Sequence, residues 1–528
     1  MKKLILIMSL LLGTFYNSQV VQLIDTNTKE NVNYQVVNNW YDGTVMNDTK
    51  LDGVIYRKSK GIYYKRVVTS GINPRWFITG NDSEGIQMAV NVAIKYGLNI
   101  KSDNDFYKID KTILIPNQPK FSKGITLDFG NSIFQMQKDI ILFDSGYYNN
   151  NLLVSTNGKP SDSFMTFGIV LENFKISSLN DFILNSVALR VKDWHQGCKI
   201  KNIVSDITQT MLLSDNNYYL ELDGLRSITP DITNSARFIF EGSHNLNKFS
   251  NLLGANSDII YRFNGPVISL LFSNNSIEGG RIGIQFNSQV YNSKISDNYF
   301  ENIKDVSVDV KSYASALTFS NNYINGIDQP SMSFIQYTPL PDNNILIDSD
   351  NYFESWDGKR VVKNIDNTVG YNNLTIKQKP QTSSSLSSIL VDNSKVSNQI
   401  NYNGVVNYKG IMRANVNNDF IVGNYSGRYT VGYNDLSGAD LIKNNTSFNL
   451  TTRIKNSDTQ YILVNLKVQL SDSVINIVGF IIGNSFYSIP NMVLNNDLTL
   501  QVISGNIQLN SKDFGKSVTD VKGEIRVL

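Results

Sequence analysis

The sequence predicts an all-β protein built on a parallel β-helix, with an N-terminal capping helix and a C-terminal β-sandwich-like domain. Three observations carry this. A phrase recurs: FSNNSIE ends at Glu278, ISDNYFE at Glu301, FSNNYIN at Asn325 and SDNYFE at Glu354. Its spacing of about 22 to 29 residues, without a helical pattern between copies, suits one solenoid turn and is too short for a strand–helix–strand unit. The composition, with 27 Tyr, 26 Phe, abundant Asn and Ser and only 18% charged residues, favours strands and turns over long helices.

The elements follow in chain order. MKKLILIMSLLLGTFYNSQ places two lysines before an apolar run from Leu4 to Phe15 that is shorter than a membrane span, which predicts a signal peptide over residues 1–19 and a secreted, cell-surface or periplasmic protein. Residues 20–75 read as a small β module, because Asp-Gly turns and aromatic alternation fill Tyr41 to Val67. In NDSEGIQMAVNVAIKY, Ile86, Val90 and Ile94 recur at helical spacing behind an Asp82 or Ser83 N-cap, with Gly97 as the stop. Such a helix would cover the open end of a stacked core.

The parallel β-helix is expected over residues 76–365, with weaker copies of the phrase around Asn173, Asn202, Gly224 and Asn251. The recurring Asn fits a tight corner that needs a left-handed residue, and a coil-to-coil amide ladder; the flanking Phe, Ile and Tyr are expected to point inward. Residues 366–406, rich in Ser, Gln, Asn and Lys, read as a connector, and 407–528 as the sandwich, where short strands are broken by Gly, Asn and Pro.

Charge and motifs exclude several functions. Lys plus Arg number 48 against 46 Asp plus Glu, with no long run of either sign, so no nucleic-acid partner is expected. Cys198 is the only cysteine, which rules out an internal disulfide. No segment after the leader is apolar enough to span a bilayer, and neither metal-ligand spacing nor a nucleotide-binding fingerprint occurs, so no membrane span, cofactor or metal is expected.

Alternating strands supply the candidate site. In RFIFE, DIIYRF, RIGIQF and DVSVDV the apolar members face inward, which puts Asp258, Arg281 and Asp305 in one outward column and Arg262, Gln285 and Asp309 in another. Asp258 and Asp305, two coils apart, would be about 9 to 10 Å apart, near the upper end for an inverting glycosidase. Asp305, Asp258, Glu241 and Asp309 are therefore the catalytic candidates, and Arg281, Arg262 and Gln285 the substrate-binding ones. Trp194 offers a sugar-stacking face with His195 beside it. The plain alternative is a surface salt-bridge ladder. Glu278 and Glu301, at one place in successive copies, would stack about 5 Å apart, a spacing that suits a retaining pair or a merely polar position in the repeat.

GNDSEGIQMAV from Gly80 to Val90, with Tyr107 and the strands to Met136, resembles the opening of the pectate-lyase superfamily domain, the pectin lyase-like right-handed parallel β-helix of rhamnogalacturonase-, epimerase- and phage tailspike-type proteins. The usual opening, GDGxxDDTxAIQxAI, is reproduced in part, and the likeness covers roughly residues 41 to 360. The NTD, DD and GHG elements of the polygalacturonase branch are not reproduced, and RIK at Arg453 to Lys455 lies outside the coils. The resemblance implies a right-handed coil and polysaccharide as partner. Two readings stay open: an exported enzyme that hydrolyses or eliminates glycosidic bonds with outward carboxylates, and a non-catalytic glycan-binding, adhesin or prophage tailspike-like protein, expected as a homotrimer.

Overall fold

The copies of the repeated phrase at 272–278, 295–301 and 319–325 each fold as two short strands around a left-handed corner. The computed structural model describes residues 20–118, 124–145, 165–179 and 183–327, then 329, 332–337, 343–347, 350–355 and the strands from Arg360–Asn364 to Val518–Val527. The predicted signal peptide lies outside these residues. The chain is mostly β, with a parallel β-solenoid of about eight turns, and it divides into two units, one of Met1–Leu212 with Tyr219–Arg226, the other of Leu213–Tyr218 with Ser227–Leu528.

In the first unit, β1 (Val20–Ile24), β2 (Asn31–Val36), β3 (Tyr56–Ser59) and β4 (Ile62–Arg66) form an antiparallel sheet in the order β1-β2-β4-β3. Helix α1 (Asp82–Tyr96) follows, with Ile86, Ala89, Val90 and Ala93 fully buried. Its N-cap is Asn81, not Asp82 or Ser83: the Asn81 side chain accepts from the Glu84 N–H at 3.1 Å. Ser83 instead binds the next strand, accepting from Asp110 N–H and donating to its carboxylate, both at 2.9 Å. Gly97 ends the helix at φ 63. The Gln87 side chain mimics a strand edge, donating to the Leu114 carbonyl at 2.8 Å and accepting from its N–H at 2.6 Å. These bonds satisfy backbone groups that a bare solenoid end would expose.

The coils of this unit pair in parallel, Ile125–Met136 with Ile169–Ser178 and the latter with Lys199–Ser205. Their core is aromatic: Phe129, Phe134, Phe143 and Phe174 pack with ring centroids 5.0 to 5.7 Å apart.

In the second unit the two jobs predicted for one Asn are divided between neighbours. The first residue of each Asn pair takes the left-handed corner: Asn274, Asp297 and Asn321 at φ 57, 61 and 52. The second, Asn275, Asn298, Asn322 and Asn351, is buried and forms the ladder, each side-chain N–H donating to the next side-chain oxygen at 3.0, 3.0 and 2.8 Å. The weaker copies also sort differently. Asn251, at φ 55 in FSNLL, takes the corner of the phrase, with Leu252 in the ladder position donating its N–H to Asn275 at 2.9 Å. Asn173, Asn202 and Gly224, all with positive φ, follow an outward Glu172, Lys201 and Asp223 and correspond in sequence to the corner at Asn256, Gly279 and Asn302.

Inward rings continue the stack: Phe240 on Phe263 at 4.4 Å and Phe263 on Phe286 at 4.8 Å, nearly parallel. Tyr261 belongs to this core, stacked on Phe238 at 4.6 Å, yet its hydroxyl has no hydrogen-bond partner. A buried hydroxyl without a partner is destabilising. Tyr261→Phe is therefore expected to raise stability by about 1 kcal/mol, read as a higher midpoint in urea unfolding.

The segment predicted as a connector contains strands Asn372–Ile376, Ser388–Asn393 and Ile400–Asn401, which pair in parallel as solenoid rungs. Its Ser- and Asn-rich composition is that of the coils themselves. Antiparallel pairing takes over later, in a five-stranded sheet that includes Arg428–Tyr433 and Val518–Val527 and a three-stranded sheet that includes Ser447–Asn449. Among the described residues no helix is long and apolar enough to cross a membrane.

Candidate functional site

The first predicted column exists as a bridge of charges in the second unit. The Arg281 guanidinium donates to both Asp258 oxygens, at 2.7 and 3.2 Å, and to Asp305 at 3.3 Å. Asp258 is the more covered partner, with side-chain exposure of 20% against 57% for Asp305. The carboxylates hold the guanidinium above its ordinary range, the Asp258 hydrogen bond contributing most. The arrangement fits the salt-bridge ladder: neither carboxylate points at open solvent without a cation, and exposed pairs of this kind contribute roughly 0 to 1 kcal/mol.

The second column corrects an expectation. Arg262, Gln285, Asp309 and Gln336 stand in register, but Gln285 and Asp309 are 4% and 1% exposed and unavailable to a substrate. Gln285 donates to Asp309 at 3.0 Å, Gln336 to its other oxygen at 3.5 Å, and the Lys311 ammonium lies 3.9 Å away. Gln285 and Gln336, in register on the coils before and after, and Lys311 two residues on close over this carboxylate. Glu241 accepts from the Asn264 side chain at 2.6 Å, and Asn287 donates to Asn264 at 2.7 Å, a further coil-to-coil chain.

Trp194 is corrected as well. It is fully buried, its indole N–H donating to Ser145 Oγ at 2.8 Å, because so large a ring with an internal hydroxyl partner packs best in the core. His195 is half-buried against Phe167, ring centroids 5.2 Å apart. Neither lies in the unit that holds the charged columns.

Sequence reasoning missed an aromatic column. Tyr299, Tyr323 and Tyr352, expected inward, open the strands Tyr299–Glu301, Tyr323–Asn325 and Tyr352–Glu354, whose middle residues Phe300, Ile324 and Phe353 fill the core. In a three-residue strand the first and third side chains share the opposite face. The tyrosines stack there at 5.2 Å between successive centroids, tilted 21°, with Tyr352 37% exposed. Beside them the third positions form a column of Glu278, Glu301, Asn325 and Glu354. Burial, then the hydrogen bond and charge of Glu301, push the Tyr299 phenol up against an opposing contribution from Asn325. The repeated Tyr of SDNYF and SNNYI was the available signal, since strict alternation from the core residue after it places it outside.

Solved tailspike structures are similar to this chain. The tailspike of Acinetobacter phage vb_AbaP_AS12 matches at 11% identity and a TM-score of 0.45, covering 93% of this chain and 94% of that one. The tailspike of E. coli bacteriophage HK620 matches at 11% and 0.42, covering 90% and 97%, and a GH87 α-1,3-glucanase from Streptomyces thermodiastaticus at 12% and 0.33, covering 66% and 73%. No protein-family model and no curated protein matches the sequence.

The first unit has a stacked acidic pair of its own: the register sets Glu172 between Asp128 and Lys201. Burial, then the Asp128 charge, pushes the Glu172 carboxyl up, while Lys201 pulls the other way. Asp128 accepts from Asn173 and from the Gly130 N–H, each at 2.9 Å. Among the described residues no three or more His, Cys, Asp or Glu side chains gather as a metal site.

Proposed function

We propose that the protein binds polysaccharide along the outer face of its second unit without cleaving it. The observation that carries this reading is the outward Tyr299–Tyr323–Tyr352 stack, half-buried at Tyr299 and Tyr323 and exposed at Tyr352, beside a column of hydrogen-bond acceptors. Tyrosine edges and hydroxyls with adjacent carboxylates offer the mixed apolar and polar contacts that sugars need, repeated every 4.8 Å or so. The carboxylates expected to do chemistry support it from the other side, since Asp258, Asp305, Asp309 and Glu241 are each occupied by a neighbouring donor. The layout of residues 1–19 supports export, and a homotrimer is the assembly this reading expects.

The test is a glycan panel with the full chain. Saturable binding without new reducing ends or unsaturated uronates is expected, and Tyr323→Ala should weaken it about tenfold while Asp305→Asn leaves it unchanged. Binding that survives Tyr323→Ala would overturn the site.

A second reading has one observation in its favour. Glu278 and Glu301 are register partners on adjacent coils, whose strands lie about 5 Å apart, within reach of the carboxyl separation a retaining hydrolase pair needs. Released sugars that disappear in Glu301→Gln would establish it.

A further inference from the structure

Among the described residues of the charged strands, Arg262 is the charged side chain left without a partner; Ser307 and Tyr261 also lack one but are fully buried. The hydrogen bonds run to two sinks: Asn287 donates to Asn264 and Asn264 to Glu241, while Gln285 and Gln336 donate to Asp309, with Lys311 alongside. Arg262 lies between them. It is half-buried, it makes no hydrogen bond or ion pair among the described residues, and its Nε is shielded from water without an acceptor there. Buried Tyr261 and Phe263 on either side turn it outward, and their stacking on Phe238 and Phe240 places the partly buried Ile239 beside it in the preceding coil. Gln285 is its partner in the following coil, with its amide already given to Asp309. A guanidinium partly withdrawn from water, with an apolar wall on one side and no internal counter-ion, lacks the acceptors its five N–H donors require.

We infer that Arg262 is an anion-recognition residue that receives a carboxylate or sulfate group of an acidic glycan from solvent. The planar fork fits either group in bidentate fashion, and apolar cover from Ile239 strengthens the contact. The inference rests on the glycan-binding reading for the source of the anion and adds the ligand class. The nearby ladder explains why the protein supplies no acid itself: Glu241 and Asp309 are already held by amides in their own columns.

The experiment separates this from the parent reading. Uronic-acid oligosaccharides and their carboxyl-reduced counterparts are titrated into the full chain and into Arg262→Gln and Arg262→Lys, and Tm is followed with inorganic sulfate alone. The acidic form should bind more tightly than the reduced form, and Arg262→Gln should lose about tenfold or more on the acidic form only, with Arg262→Lys between. Because Arg262 bonds nothing among the described residues, Arg262→Gln should leave Tm without ligand unchanged. Equal binding of acidic and reduced glycans overturns the anion role while glycan binding stands. A sulfate-dependent rise in Tm, lost in Arg262→Gln with no glycan bound, supports the anion site and overturns the glycan reading. If glycans do not bind and sulfate shifts both proteins alike, the inference is wrong.

Discussion

Asn298→Ala is expected to destabilise the protein by about 3 to 5 kcal/mol, a loss shared within the ladder by Asn322, which is bonded in the same way. Its side-chain oxygen accepts from the Asn275 N–H and side-chain amide, both at 3.0 Å. Its own amide donates to the Phe272 carbonyl at 3.1 Å and to Asn322 at 3.0 Å. Truncation strands the Asn275 donors and the Phe272 acceptor in the core, where each unmet group costs roughly 1 to 3 kcal/mol. Asn275→Leu should cost less, because the chain already carries Leu252 at this position one coil earlier and Asn298 would keep the Asn275 backbone donor. Chemical unfolding of both variants checks the order; a smaller loss for Asn298 than for Asn275 would show that the ladder does not act as a unit.

Acid should weaken the fold through His244. The imidazole is buried, and burial pushes its pKa down from 6.5 to about 4, against the pull of the Glu241 carbonyl and the Asp215 charge. A carbonyl can only accept, so Nε2 carries the proton toward Glu241 O at 2.8 Å, and Nδ1 accepts from the Asn247 amide at 3.2 Å. Protonating Nδ1 would set two donors face to face. The folded state thus resists a proton that the unfolded chain takes up near pH 6.5, so the stability is complete above that pH and declines as pH falls toward 4. The shift amounts to about 3 kcal/mol across that window. The difference in unfolding free energy between the wild type and His244→Gln, followed from pH 7 to 4, isolates it; parallel curves would remove the histidine from the account.

The coil was legible because its grammar is local. A left-handed corner wants Asn, Asp or Gly, a core position wants Phe or Ile, and both wants repeat at a fixed spacing, so Phe272 to Glu354 announced themselves. The Asp258–Arg281–Asp305 column followed from alternation alone. What alternation could not supply is cover. Nothing in DVSVDV says that Gln285, Gln336 and Lys311 will close over Asp309, and nothing in KDWHQ says that Ser145 waits inside for the Trp194 indole. Lys311 is a sequence neighbour, but Gln285, Gln336 and Ser145 come from other coils, at sequence separations that no local pattern reaches. Tyr299, Tyr323 and Tyr352 run against the expectation for the opposite reason: hydrophobicity suggested the core, although the apolar residue after each, Phe300, Ile324 and Phe353, already occupied it.

The three-residue strands of the tyrosine face carry a consequence for how such a chain can change length. Inserting or removing one residue in Tyr299–Glu301 would exchange Phe300 with its outward neighbours and drive the ring into solvent. Removing a complete coil would not: excising residues 297–320 joins Ser296 to Asn321 and brings Asn322 to the place of Asn298, with Tyr323 in that of Tyr299. Growth and loss in this region are therefore quantised, and the number of tyrosines on the face is a copy number that recombination can dial up or down while each junction stays sound.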